Sequence, residues 1–482
     1  MISRLASRIT WILWILLVIA LPITTFPVVM KLTGSSSVAP ASLLFLLPLV
    51  VILLPIVIFN KTRFPIHVKA VLVFFLFALA TIAMAFLRPI PDYKSVSPLS
   101  AALEGTATLV LGLLFYLVSI LLPNTPGRIE KTLRIVNWVG LVVILVSIIQ
   151  VTAWVFSLPF FYFLERVRPF FSPTRILRER MLGFAAEPSW LAHMLNLVYL
   201  SYWLAAAYTR KSVHRFRIWK FTFEDVLLVL GIVTLVGSLS RGGLLAFMLL
   251  LGFIFVLLNL RLIRWIIKKF SDRRKVLMTA GVSIGLLFVY IGLLVLALWG
   301  FSKIDPRMKD VFQFSTDQPN PLIEYADNLQ FGERVIYWQT GWNIFNDHPI
   351  TGVGVGLSGF YFPQYLPDKG FELAETREFL YHSTGLMNIK NLWSRLLAET
   401  GIVGFGLYVN FLVLFAFTSS EMIKKSNGMR RTLGFMGIFM LVALIAEEFS
   451  VDSFALPYLW FTMGLVTAAW RWYYPVEGKF SG

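Results

Sequence analysis

The sequence predicts an all-α polytopic membrane protein, with about twelve transmembrane helices and one long extracytoplasmic loop. Three observations carry that prediction. The 482 residues are 57% hydrophobic, whereas soluble domains hold about 45–50% apolar residues even with glycine counted. The apolar residues fall in blocks of membrane length instead of being spread along the chain. Lys and Arg gather in alternate connections between those blocks, as expected where basic loops stay on the cytoplasmic side. A barrel would show ten-residue alternation, and these blocks show none.

Taken in order, nine spans are expected at 10–30, 40–59, 68–87, 106–122, 135–156, 189–207, 226–236 with its flanks, 242–260 and 277–299. Three more follow at 402–417, 432–446 and 456–470. Each is close to the length that crosses ~30 Å of hydrocarbon as a helix, the default where lipid offers the backbone no partners. The first block is too long for the apolar part of a cleaved signal and reads as a span. The chain thus divides into a transmembrane region over 1–300, with an outer amphipathic segment near 160–188. A loop over 301–390 and a second transmembrane region over 391–482 follow.

Orientation follows from the basic connections. Lys61 and Arg63, Arg128, Lys131 and Arg134, the run from Arg210 to Lys220, the run from Arg261 to Lys275, and the group from Lys424 to Arg431 share one side. That side is expected to be cytoplasmic, with both termini on it and the 301–390 loop outside. The formal charge of +17 is accounted for by these loops, so nucleic acid is not an expected partner. With no cysteine, disulfides and thiolate metal sites are excluded. No period of 20–50 residues marks a repeat array.

One outer connection breaks the charge rule, with Arg166, Arg168, Arg175, Arg178 and Arg180 on the wrong side. If the stretch after Pro173 is helical, Arg175 and Arg178 share a face. Its Phe and Leu content suits a helix lying in the interface. The segment is then an anchor with snorkelling arginines or an outer phosphate site.

The remaining outer features could carry chemistry. Arg241 follows Ser238-Leu239-Ser240 and precedes two glycines, and an arginine at membrane depth is a functional candidate by default. Arg334, Tyr337, Trp338 and Trp342 recur at helical spacing. The guanidinium fork suits phosphate, and the rings suit sugars or lipid. His348 opens a run with Gly352, Gly354 and Gly356; no Gly-Lys-Ser/Thr follows, so it is not a phosphate-binding loop of the Walker type. Alternate glycines mean backbone set tightly against something, and a structural turn is the expected role, with His348 a turn residue. Lys390, Asn391 and Glu399 stand at the mouth of the tenth span, where Glu399 needs a partner. Glu187 opens the sixth span, explained in part by the helix dipole and capping, and is also a candidate base. His382 and His348 are the outer histidines. No acidic pair or His-x-x-x-His marks a metal site, and no cofactor is expected.

Four motifs, GFAAEPSWLA, SLSRGGLLAF, GERVIYWQTGWNIFNDHPITGVGVG and NLWSRLLAETGIVG, lie in that order between about 183 and 404. Together they resemble the O-antigen polymerase and O-antigen ligase superfamily. The resemblance implies a metal-independent, membrane-embedded glycosyltransferase fold of the C type in a bacterial plasma membrane, acting on the outer face. Its implied donor and acceptor are oligosaccharides on polyprenyl pyrophosphate, with membrane lipid and a chain-length regulator as further partners. Arg241 and Arg334 are then implied to hold the pyrophosphate, helped by Arg175 or Arg178. Relatives of the ligase type carry His-Asn where this chain has Lys390-Asn391, so the polymerase branch is favoured. The base is then Glu187 or His382, with Lys390 a cation or an anchor. The rivals are a ligase using the same donor residues and, from another class, a transporter. A transporter predicts related halves and many intramembrane charges.

Overall fold

The computed structural model describes residues 4–34, 38–269, 272–314 and 321–473. Part of the expected 301–390 loop, at 315–320, and the chain end after 473 lie outside the described residues. The side chains of Arg273, Arg274 and Lys275 do as well.

The chain is a helical assembly. Among the described residues, seven helices are long and apolar enough to cross a membrane: Ile66–Ala85, Pro98–Leu121, Pro126–Val155, Arg241–Ile266, Val276–Gly300, Leu392–Lys425 and Gly428–Glu447. Two shorter apolar helices, Leu5–Ala20 and Leu43–Phe59, precede them. The other expected spans form helices that are short or broken. Phe223–Gly237 starts at a capping box, in which Thr222 and Asp225 satisfy each other's backbone N–H. Pro188–Met194 passes through a π-helical turn, Leu195–Leu200, into Ser201–Thr209. Pro457–Tyr473 closes the described chain. A two-strand hairpin, Arg217–Ile218 with Phe221–Thr222, is the one sheet among the described residues.

Leu392–Lys425, Gly428–Glu447, Pro457–Tyr473 and Ser201–Thr209 pack on one another, with Pro98–Leu121 against Pro457–Tyr473. Tyr408, Phe411, Phe439 and Trp460 lie in the apolar core they share. The helix at Val276–Gly300 is different. None of its apolar window is buried, and it leans on Arg241–Lys269 and the turn at Pro306–Met308.

The long loop is a folded unit. Ile336, Tyr337, Ile344, Leu357, Phe360, Phe362 and Ile389 form an apolar cluster that continues into Ala85, Ala101 and Ala102 at two helix ends. Its glycine run is structural, as expected. Gly352, Gly354 and Gly356 all have positive φ, and a Cβ on Gly352 would lie 2.4 Å from the Glu399 carbonyl carbon. Val353 N–H and Gly354 N–H donate to the carbonyls of Ala398 and Glu399, both at 2.9 Å. Gly401, with φ 63° and ψ −170°, kinks the Leu392–Lys425 helix at that point, so the expected span from 402 begins just past the kink.

The connection before Pro188 corrects an expectation. The helix there is Phe160–Val167, ahead of Pro173, and the stretch after Pro173 is irregular. Arg175 and Arg178 therefore share no helical face. The cause is Arg168, which is buried and donates to the carbonyls of Thr174, Gly183 and Ala185. It draws the following chain into a loop folded around one guanidinium. Burial lowers the Arg168 pKa to about 10.

Candidate functional site: an arginine cluster at an inter-helix turn

The site is built around the turn Ser238–Gly243. Phe223–Gly237 ends there, and Leu239 takes a positive φ of 49° before Arg241 starts the next helix. The turn leaves carbonyls unpaired by helix geometry, and arginines from distant segments take them. Arg180 Nε donates to Ser238 O at 3.0 Å and its Nη2 to Leu239 O at 3.1 Å. Arg307 Nη2 donates to the same Leu239 O at 2.9 Å.

Arg241 donates to Leu329 O and, at 2.9 Å, to Gln330 O, with its guanidinium 5.6 Å from the Phe331 ring centroid. Arg334 Nη1 donates to Ser450 O at 3.1 Å. Arg180, Arg307 and Arg334 all lie within electrostatic reach of Arg241, as does Asp305. The cluster thus sets four guanidinium charges against Asp305 and the nearby Glu187. None of the four arginines is sealed from solvent.

The charges show in the titration of groups outside the spans. Burial, and then the Arg307 charge, hold Arg180 below the ordinary arginine value, while Asp305 and Glu187 pull it back up. Burial pushes the Asp305 carboxyl up, but hydrogen bonds from Arg307 and the charges of Arg307 and Arg241 outweigh it, leaving the pKa lowered. Arg307 Nε lies 2.9 Å from Asp305 Oδ1 and Nη2 2.7 Å from Oδ2, a bidentate pair.

The other expected residues are distributed as follows. The helical spacing of Arg334 to Trp342 is real, since Gly332–Asp347 is a helix, but it divides them. Arg334 and Trp338 face the membrane helices, with Trp338 edge-on to Phe331 and Phe449. Tyr337 turns into the loop core, 1% exposed, and donates to Glu375 Oε1 at 3.2 Å. His348 is the C-cap of the same helix, and its ring meets Tyr361 edge to face at 5.7 Å. Burial and the Arg88 charge lower the His348 pKa. His382 is exposed in the turn Glu378–His382.

At the tenth expected span, Asn391 is the N-cap of Leu392–Lys425 and accepts from Ser394 N–H at 3.1 Å. Glu399 has the partner it needs: Arg395 Nε at 3.1 Å, with Ser358 Oγ donating at 2.8 Å. Lys390 pairs with Glu375 and lies over the Tyr337 and Phe379 rings. Glu187 is exposed and accepts from Ser189 Oγ at 2.9 Å. Its carboxylate makes no capping bond to the helix it precedes, which corrects the capping half of the sequence reading. Arg178 lies over the Trp154 ring at 4.7 Å and Arg175 is exposed. The structure therefore brings Arg180, and neither Arg175 nor Arg178, onto the turn that carries Arg241.

Sequence reasoning missed Arg307 and the part played by Arg180. A signal for the first was present: Asp305-Pro306-Arg307 directly follows a span, where paired ionisable residues are functional candidates. Arg180 could not be separated from its four neighbouring arginines without the fold of the loop.

Helices of membrane length, a folded loop on their ends and a cationic cluster at one inter-helix turn define a polytopic membrane protein with a candidate anion site. Residues 226–409 match the family model described as O-antigen ligase, which supports a relation to the superfamily of O-antigen ligases and polymerases. The matched segment holds Arg241, Arg307 and Arg334, and it ends within the kinked helix. No curated protein matches the chain.

Proposed function

We propose that the protein polymerises oligosaccharide repeat units carried on polyprenyl pyrophosphate, with the arginine cluster holding the pyrophosphate. The gathering of Arg180, Arg241, Arg307 and Arg334 around one turn carries this reading. A pyrophosphate needs several forked cations, and donors aimed at a leaving group stabilise the charge that develops on it.

In the step proposed, an acceptor sugar hydroxyl attacks the anomeric carbon of the donor chain. The new C–O bond forms as the bond from that carbon to the pyrophosphate oxygen breaks, inverting the centre. The electron pair leaves on the lipid pyrophosphate, and the hydroxyl proton passes to a base. Glu187 is favoured over His382 for that role because its charge acts on Arg180, a member of the cluster. Lys390, held by Glu375, serves as a cation. A cavity of about 340 Å³ lined by Asn343, Asn346, Asp347, Gln364 and Tyr365 offers amide, carboxylate and phenol partners for sugar hydroxyls.

The second reading, transfer of a finished glycan to a different acceptor, is favoured by the ligase description of the family. Purified protein in liposomes with a lipid-linked repeat unit separates the two. A ladder of products supports the polymerase; a single transfer that needs an added acceptor supports the ligase; no transfer with either overturns both.

A further inference from the structure

A buried polar network adjoins the turn that carries Arg241. Asn196 lies in the π-helical turn Leu195–Leu200. Its Nδ2 donates to Gly243 O at 2.8 Å and to Glu447 Oε1 at 2.5 Å. The other Glu447 oxygen lies 3.4 Å from His193 Nδ1. All three side chains are buried. Such groups are costly inside a membrane protein and need a reason to be there.

The network joins the backbone that carries Arg241 to the segment whose carbonyl anchors Arg334. Gly243 is two residues from Arg241, and a Cβ on it would sit 2.3 Å from that of Ala192. Helix Arg241–Lys269 therefore meets the helix of His193 and Asn196 at closest approach. On the far side, Glu447 O accepts from Ser450 N–H at 2.9 Å, and Ser450 O accepts from Arg334. A Cβ on Gly242 would lie 2.5 Å from Ser450 Oγ, so the Arg241 turn and the Arg334 anchor also touch directly.

We propose that Asn196, with His193 and Glu447, is a positioning network that sets the Arg241 turn and the Ser450 carbonyl in register, and with them the Arg241 and Arg334 guanidinium groups. None of the three touches substrate in this scheme. The ligand part rests on the pyrophosphate reading above; the positioning part does not.

The test compares Asn196→Ala with Asn137→Ala. Asn137 is equally buried and joins Glu224 to Trp203 in a separate network. Two measurements are made on the full chain in nanodiscs: hydrogen exchange of the 240–245 amides, and affinity for a polyprenyl pyrophosphate. Asn196→Ala should speed exchange in that segment and weaken binding by roughly 10-fold, the scale of losing a buried bond to a charged partner. Asn137→Ala should lower thermal stability and change neither. Glu447→Gln keeps an acceptor for Asn196 and should stay near wild-type affinity, whereas Glu447→Leu should behave like Asn196→Ala. If Asn196→Ala does not fold, Asn196→Ser replaces it. Unchanged exchange in Asn196→Ala or its replacement overturns the network. Faster exchange with unchanged affinity, together with unchanged affinity in Arg241→Lys, keeps the network and overturns the pyrophosphate reading.

Discussion

Arg241 and Arg334, with Arg180 and Arg307, differ from Arg166, Arg168 and Arg175 in what they are tied to. Arg166 and Arg175 are exposed, and Arg168 spends its donors on loop carbonyls. Arg241 and Arg334 are half-buried; Arg241 holds the carbonyls of Leu329 and Gln330 through its two terminal nitrogens, and Arg334 holds that of Ser450 through Nη1. Lysine keeps the charge but loses the planar fork. Removing one charge-stabilising donor costs about 2.7–4 kcal/mol of barrier, or about 100- to 1000-fold in rate. Arg241→Lys and Arg334→Lys are therefore expected to lose activity on that scale in folded protein, measured as polymer formed by reconstituted enzyme; near wild-type turnover would make the residue structural. Glu187→Gln should lose most of the chemical step while still binding donor lipid, and Lys390→Arg should keep substantial activity because it preserves the ion pair with Glu375. A dead Lys390→Arg beside an active Glu187→Gln would reverse the two roles.

At the scale of elements, the loop and the kinked helix depend on each other. Gly352 has φ +67° and no room for a Cβ against the Glu399 backbone. Gly352→Ala should cost about 1–3 kcal/mol, the usual range for overfilling a tight contact, read as a lower melting temperature in detergent. Gly281, in the exposed span Val276–Gly300, has nothing within 4 Å, and Gly281→Ala should leave the melting temperature nearly unchanged. The loop should also be pH-sensitive. His348 has a folded pKa below its unfolded value, so the unfolded loop binds more protons between the two values. Its contribution is fully present above pH ~6.5 and is lost as pH falls toward the lower folded value. Limited proteolysis of the loop should therefore speed up below pH ~6.5, and His348→Gln should flatten that dependence. The Gly352–Gly356 turn was legible in sequence, because positive φ is a local property, whereas the span was expected from 402 and the helix starts at Leu392. The side to which each face of Gly332–Asp347 turned was not legible. Arg334 and Tyr337 are neighbours on the helix, and only the cluster of Phe360, Phe362 and Ile389 against one face sends Tyr337 into the loop and leaves Arg334 to the helices.

For the whole molecule, the absence of cysteine makes topology directly measurable. Lys309→Cys, in the long loop, should react with an impermeant thiol reagent in intact cells. Arg217→Cys, in the hairpin on the expected cytoplasmic side, should react only after lysis. The reverse pattern would invert the protein and remove the arginine cluster from the outer face. Chelation offers a second check: if arginines supply all the charge for the leaving group, EDTA should leave the rate unchanged, and loss restored by magnesium would overturn that.

Hydropathy blocks and charge asymmetry were enough to read a polytopic helical chain with a long polar connection before the tenth span. Both are sums over many residues, and lipid leaves the backbone few alternatives to a helix. The candidate site was only half legible. Arg241 and Arg334 stood out because glycines and aromatic residues adjoin them. Arg180, Arg307, Asn196, His193 and Glu447 did not, because their parts are set by partners far along the chain, as Asn196 shows with Gly243 and Glu447, 47 and 251 residues away. No local pattern encodes which carbonyl a distant guanidinium will meet. That is decided when Arg168 folds its loop, when the turn after Gly237 presents its oxygens, and when Gly242 and Gly243 let three helices approach closely enough to share one polar network.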